Sequence, residues 1–67
     1  MKNNMRVLRA IKNITQAELS DLIQVSRQTI NTIESGKYVP STVLALKMAK
    51  VFNVLVEEIF ELEPEDE

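Results

Sequence analysis

The sequence predicts an all-α fold of five short helices. Three observations carry this. Apolar residues recur at i, i+3 and i+4 along most of the chain, the spacing that places them on one helix face. Residues with capping side chains (Thr15, Ser26, Ser41) stand just ahead of these runs. One Gly and two Pro among 67 residues are too few turn formers for a set of β-hairpins.

In chain order, Met5, Leu8 and Lys12 share the face of a first helix, with Asn13 as a stop, since Asn tolerates the left-handed conformation of a helix end. "TQAE" follows. Thr15 and Glu18 form a capping box, each side chain satisfying a free backbone N–H. Leu19, Leu22 and Ile23 then mark the buried face of a helix over 16–23. Ser26 caps a third helix, 27–35, and Gly36 suits its end. At about 100° per residue, Arg27, Gln28, Asn31, Thr32 and Ser35 cover one polar arc of this helix, with Thr29, Ile30 and Ile33 opposite. "GKYVPS" is a loop, with Val39 held extended by Pro40. Ser41 caps a fourth helix, 42–52, whose core face uses Leu44 or Ala45, Met48, Ala49 and Phe52. A last helix near 56–61 carries Ile59 and Phe60.

The chain reads as one small domain over 1–62 with an acidic, solvated tail over 63–67. It contains no Cys and no His, which excludes disulfides, His/Cys zinc sites and catalysis by thiol or imidazole. No cofactor is implied. No apolar run approaches the roughly 18 residues of a membrane helix, and no secretory pattern opens the chain. A cysteine-free chain of this kind suits the cytoplasm. The net charge of −2 hides an asymmetry. All eight Lys and Arg precede position 57, whereas seven of the ten acids follow position 56, so residues 1–56 carry +5. A basic working surface is implied.

Two helices joined by a turn of about three residues cross at a large angle, and the second projects outward. A helix of this kind fits the DNA major groove with its N-terminal side chains at the base edges. The chemistry of 27–35 matches that use. Arg27 can donate two bonds to guanine, Gln28 can pair with adenine, and Thr32 can meet a thymine methyl. The helix starts at Gln16 and Arg27 offer free N–H groups to phosphates, and Lys37 and Tyr38 lie just past the second helix for further backbone contacts.

The segments "LRAIKNITQAELS", "VSRQTINTIESGKYVPS" and "ALKMAKVF" together resemble the helix-turn-helix domain of the Cro/phage-repressor (Xre-type) transcriptional regulators, over about residues 5–60. The resemblance implies a compact five-helix repressor-like DNA-binding domain with its helix-turn-helix at residues 16–35. By position, Arg27, Gln28 and Thr32 would read bases, while Gln16, Ser26, Thr29, Asn31, Lys37 and Tyr38 would contact phosphates. It also implies an ion pair between Arg9 and Glu34. Double-stranded operator DNA is the implied partner, and a small repressor acting by occupancy is the implied function.

The chain departs from the family pattern at three places. Gln24 stands where Gly is common in the turn, so a left-handed residue there carries a cost of about 1 kcal/mol. Leu55 stands where a capping Ser or Thr is usual, leaving Asn53 as the cap of the last helix or leaving it without one. Val7, Ala10 and Ile11 replace commonly charged residues and form a second apolar stripe on the first helix. That stripe, with Leu55, Ile59, Phe60 and Leu62, points to a homodimer interface. Residues 60–63, "FELE", alternate apolar and acidic, and a short strand against the N-terminus or the other subunit is the alternative to helix there.

Two other classes were weighed. An antitoxin-like or antirepressor module would use the apolar patch and acidic tail on a protein partner, with DNA binding secondary. An enzyme would need more than the adjacent Glu57 and Glu58, whose side chains diverge on a helix and have no nucleophile, metal set or phosphate loop beside them.

Overall fold

The computed structural model describes residues 1–67. Five α-helices follow one another: α1 (Met5–Lys12), α2 (Gln16–Ile23), α3 (Arg27–Glu34), α4 (Thr42–Phe52) and α5 (Val56–Ile59). Two very short strands, β1 (Lys2–Asn3) and β2 (Phe60–Glu61), pair antiparallel at the chain ends, with Lys2 opposite Glu61 and Asn3 opposite Phe60.

The first four helices start and stop where the caps predict. Thr15, Ser26 and Ser41 each accept a hydrogen bond from the backbone N–H three residues on. At Thr15 the box closes, because Glu18 accepts from the Thr15 N–H at 3.0 Å. Asn13, Gln24 and Asn53 all adopt the left-handed conformation, with φ of 56°, 60° and 57°. The next residue then returns its N–H to the last turn: Ile14 to Arg9 O, Val25 to Ser20 O and Val54 to Ala49 O. Ile14, Val25 and Val54 pack against the core. This is the Schellman termination, in which an apolar residue past the cap is tucked under the helix it ends. α3 stops by the same bonds but with Gly36 in the left-handed position and Lys37 after it, so a cation and not a hydrophobe leaves this helix.

Nine side chains form the core: Met5, Leu19, Ile23, Ile30, Ile33, Leu44, Met48, Phe52 and Ile59. Each contributes about 1.5–3 kcal/mol by leaving water, which a domain this small needs. One expectation about the core is corrected. Leu22 is 59% exposed, and Ser20 is buried in its place. The face of α2 that meets α3 is 19, 20 and 23, because the wide crossing angle brings α3 over Ser20, and its hydroxyl is satisfied by Ala17 O at 2.7 Å.

The C-terminal part differs from the sequence expectation in four ways. α5 ends at Ile59, because Phe60 and Glu61 leave the helix to pair with β1. Asn53 is the end of α4 and does not cap α5. The Leu55 side chain has no acceptor, and the Leu55 N–H is instead taken by Glu58 Oε1 at 3.0 Å. Ile59 is 1% exposed, so it belongs to the core and is withdrawn from any subunit contact. Where a solvated tail is expected, Pro64–Asp66 form a 3-10 turn, and the Met1 ammonium sits 2.9 Å from Glu63 Oε1 and 3.0 Å from Asp66 Oδ2. Those two hydrogen bonds, Glu63 first, hold the amine's pKa above its ordinary value.

Gln24→Gly relieves the left-handed strain of about 1–2 kcal/mol and gives back about 0.4–1 kcal/mol in chain entropy. A net gain of about 0.5–1 kcal/mol is expected in urea denaturation, with the fold unchanged.

Candidate nucleic-acid interface

The helix pair α2–α3 is held from behind by one carboxylate. The Glu34 side chain is fully buried, with 0% exposure. Arg9 from α1 meets it with two parallel bonds, Nε to Oε2 at 2.6 Å and Nη2 to Oε1 at 3.2 Å, and also donates Nη1 to Ile14 O at 3.0 Å. Gln16, the first residue of α2, donates its amide to Glu34 Oε1 at 3.0 Å. Arg6 lies 3.5 Å away on the outer side. Burial alone would raise the Glu34 pKa. The hydrogen bonds from Arg9, Gln16 and Arg6, with the charge of Arg9, outweigh burial and hold it below the ordinary glutamate value. Helices α1, α2 and α3 therefore share one ionised group. The ion pair implied by the family resemblance is present.

On the outer side, α3 presents its N-terminal half to solvent. Arg27 and Gln28 are exposed, and Thr32 is half-buried. No ion pair in the protein uses Arg27 or Lys37. Gln28 and Thr32, one turn apart, orient each other. Gln28 Nε2 donates to Thr32 Oγ1 at 3.2 Å, and that hydroxyl donates to Gln28 O at 2.7 Å. One N–H and the carbonyl oxygen of the Gln28 amide remain for a base edge.

Two grooves flank this half-helix. Gln16, Arg27, Gln28 and Asn31 line one, and Gln28, Thr29, Thr32, Lys37 and Tyr38 line the other. The fold thus gathers eight of the nine side chains named for DNA contact. The ninth, Ser26, is committed to capping: its hydroxyl accepts the Thr29 N–H at 3.0 Å and lies 2.9 Å from the Thr29 hydroxyl. Gln16 is more constrained than its sequence position suggests. Glu34 can only accept, which fixes the amide nitrogen inward, and its second N–H points to Asn31 Oδ1 at 3.4 Å. Any phosphate contact at Gln16 therefore comes from its backbone N–H, unpaired at the first position of α2, or from releasing the long bond to Asn31. A third groove joins Asn13, Thr15 and Ala17 to Gln16 and Arg27. The sequence reading used Asn13 and Thr15 only as helix ends; their neighbourhood to Arg27 depends on the crossing of α2 and α3.

A projecting, braced helix with an unpaired Arg, an oriented Gln–Thr pair and a cation beyond its end defines a DNA-binding regulator of the helix-turn-helix class. The helix-turn-helix family profile matches residues 5–59. The chain belongs to this family, in its Cro/phage-repressor (Xre) type. It is 50% identical over 66 residues to an uncharacterized HTH-type transcriptional regulator of Methanocaldococcus jannaschii, covering 98% of this chain and 100% of that one. It is 46% identical to another such regulator, of Bacillus subtilis, with the same coverage. The crystal structure of the restriction-modification controller protein C.AhdI from Aeromonas hydrophila superposes with a TM-score of 0.74 at 31% identity, over 82% of this chain and 83% of that chain. The protein is a DNA-binding transcriptional regulator and not an enzyme. No helix is long and apolar enough to cross a membrane.

Removing one partner of a buried pair leaves the other charge unanswered. Arg9→Met is expected to cost about 3 kcal/mol, read from urea denaturation. Because the Glu34 pKa is lowered on folding, its contribution is complete above the ordinary value of 4.5 and is lost as pH falls through the folded value. Acid titration followed by circular dichroism should show a steep loss of wild-type stability below about pH 5 and a shallower one for Glu34→Gln.

Proposed function

We propose that the protein is a small repressor that binds a palindromic operator in double-stranded DNA as a homodimer, in the cytoplasm, and acts by occupying the site. One observation carries this reading. Arg27, Gln28 and Thr32 lie on the outer side of a helix whose inner side is locked by Glu34, so their geometry is set before DNA arrives. Pre-set side chains lose little freedom on binding. In this reading Arg27 pairs with guanine, Gln28 with adenine, and Thr32 with a thymine methyl. The exposed N–H groups at the starts of α2 and α3, Asn31, Lys37 and Tyr38 hold the phosphates and set the register.

The homodimer supplies the second half-site. Val7, Ile11, Leu55 and Leu62 are 57%, 70%, 63% and 62% exposed, more large apolar surface than a chain of this size needs to leave in water. Phe60, half-buried beside β1, forms the edge of that surface. A two-fold axis would set two copies of α3 about 34 Å apart, one turn of DNA.

Selection from a randomised double-stranded DNA pool at about 0.15 M salt tests the reading. Recovery of an inverted repeat with half-sites about one helical turn apart supports it. Binding that is only salt-sensitive and enriches no sequence overturns it, and moves the antitoxin-like reading to first place. On the recovered operator, Arg27→Ala is expected to cost about 1–3 kcal/mol and to relax one base position. Lys37→Ala should weaken all sequences alike and reduce the salt slope by about one unit. Equal losses on operator and random DNA for Arg27→Ala would remove its base-reading role.

A further inference from the structure

We propose that the exposed face of α1 docks the acidic C-terminal segment, residues 61–65, of a second copy, reciprocally about a two-fold axis. The inference rests on the homodimer in the proposed function and names the surfaces that make it.

The two surfaces are complementary in shape and charge. On α1, Val7 and Ile11 stand in solvent with the small Ala10 between them, leaving a notch of three neighbours at i, i+3 and i+4. A projecting Leu fits such a notch, as in knobs-into-holes packing. Leu62 projects from the C-terminal segment with 62% exposure. α1 has three cations and no acid. Arg9 is spent on Glu34, which leaves Arg6, with a side chain 68% exposed, and Lys12 at the two ends of the notch. The C-terminal segment has acids and no cation. Glu63 and Asp66 are spent on Met1, which leaves Glu61 and Glu65, exposed and without an ion pair, on either side of Leu62. Arg6 and Lys12 are about 9 Å apart along the helix axis. Glu61 and Glu65, across two extended steps and two of a 3-10 turn, are about 11 Å apart.

The occupant is another copy and not the chain's own tail. The ion pairs at Met1 and the β1–β2 pairing fix residues 60–66 ahead of the start of α1, and Val7 and Ile11 stay exposed with the tail so held. The same pairing makes the notch and the segment neighbours on one surface. A two-fold axis through that surface forms both contacts at once, the arrangement a closed dimer requires.

The experiment measures the dimer dissociation constant by sedimentation equilibrium for wild type, Ile11→Glu, Leu62→Lys and the double variant. All substituted sites are exposed, and far-UV circular dichroism checks that each variant is folded. Each single change is expected to weaken the dimer at least about tenfold. In the double variant the introduced carboxylate faces the introduced ammonium, and affinity should return to within about threefold of wild type. Additive losses in the double variant overturn the proposal. So does a dimer that neither single change affects, which leaves the homodimer standing on some other surface. A wild-type protein that stays monomeric at tens of micromolar removes the homodimer and this interface together, while the DNA selection reports separately on base reading.

Discussion

The buried carboxylate of Glu34 is the constraint on which the arrangement depends. A charged group with no exposure is costly unless every lone pair is answered. Answering this one takes Arg9 from α1 and Gln16 from the first turn of α2, while the carboxylate itself belongs to the last turn of α3. Three helices are thereby fixed in mutual orientation by directional bonds, where apolar contact alone would allow sliding. The planar guanidinium matters here, because its two parallel donors define an angle as well as a distance. No buried side-chain polar atom is left without a partner. The outward aim of α3 follows from this internal fastening.

Helix ends do the rest of the positioning. α1, α2 and α4 close with a left-handed polar residue followed by a half-buried aliphatic one, at Asn13–Ile14, Gln24–Val25 and Asn53–Val54. Each pair turns the chain back into the core within a few residues, which keeps a 67-residue chain folded around nine buried side chains. α3 departs from this pattern where the functional surface requires it. Gly36 and Lys37 end it without returning a hydrophobe to the core, so the helix finishes with a cation beside Tyr38 and Thr32. The acidic residues collect at the other end of the chain, where Glu63 and Asp66 hold the N-terminus. The protein therefore separates a basic, polar working face from an acidic segment, despite a net charge of −2.

Four helices, their caps and the identity of the reading helix were determined by the sequence itself. These are local matters: a Ser or Thr oxygen reaches an N–H three residues away, and apolar periodicity shows within one or two turns. The resemblance of residues 5–60 to a known family supplied the Arg9–Glu34 pair, which joins positions 25 residues apart and which spacing alone does not reveal. The Asn–Ile, Gln–Val and Asn–Val terminators were also present as a repeated local pattern, although Gln24 read as a departure and Asn53 as a cap for the wrong helix.

Tertiary structure decided what depends on direction between distant segments. Leu22 has the spacing of a core residue, yet the crossing of α3 over Ser20 turns it to solvent. Ile59 and Phe60 look equivalent in sequence, but pairing of 60–61 with Lys2–Asn3 ends α5 between them and sends Ile59 into the core. The inward amide of Gln16 and the joining of Asn13 and Thr15 to the groove at Arg27 have the same origin. Local propensity is settled by near neighbours along the chain. Which side of a short helix is buried is settled by the element that crosses it, and that information is distributed over the whole fold.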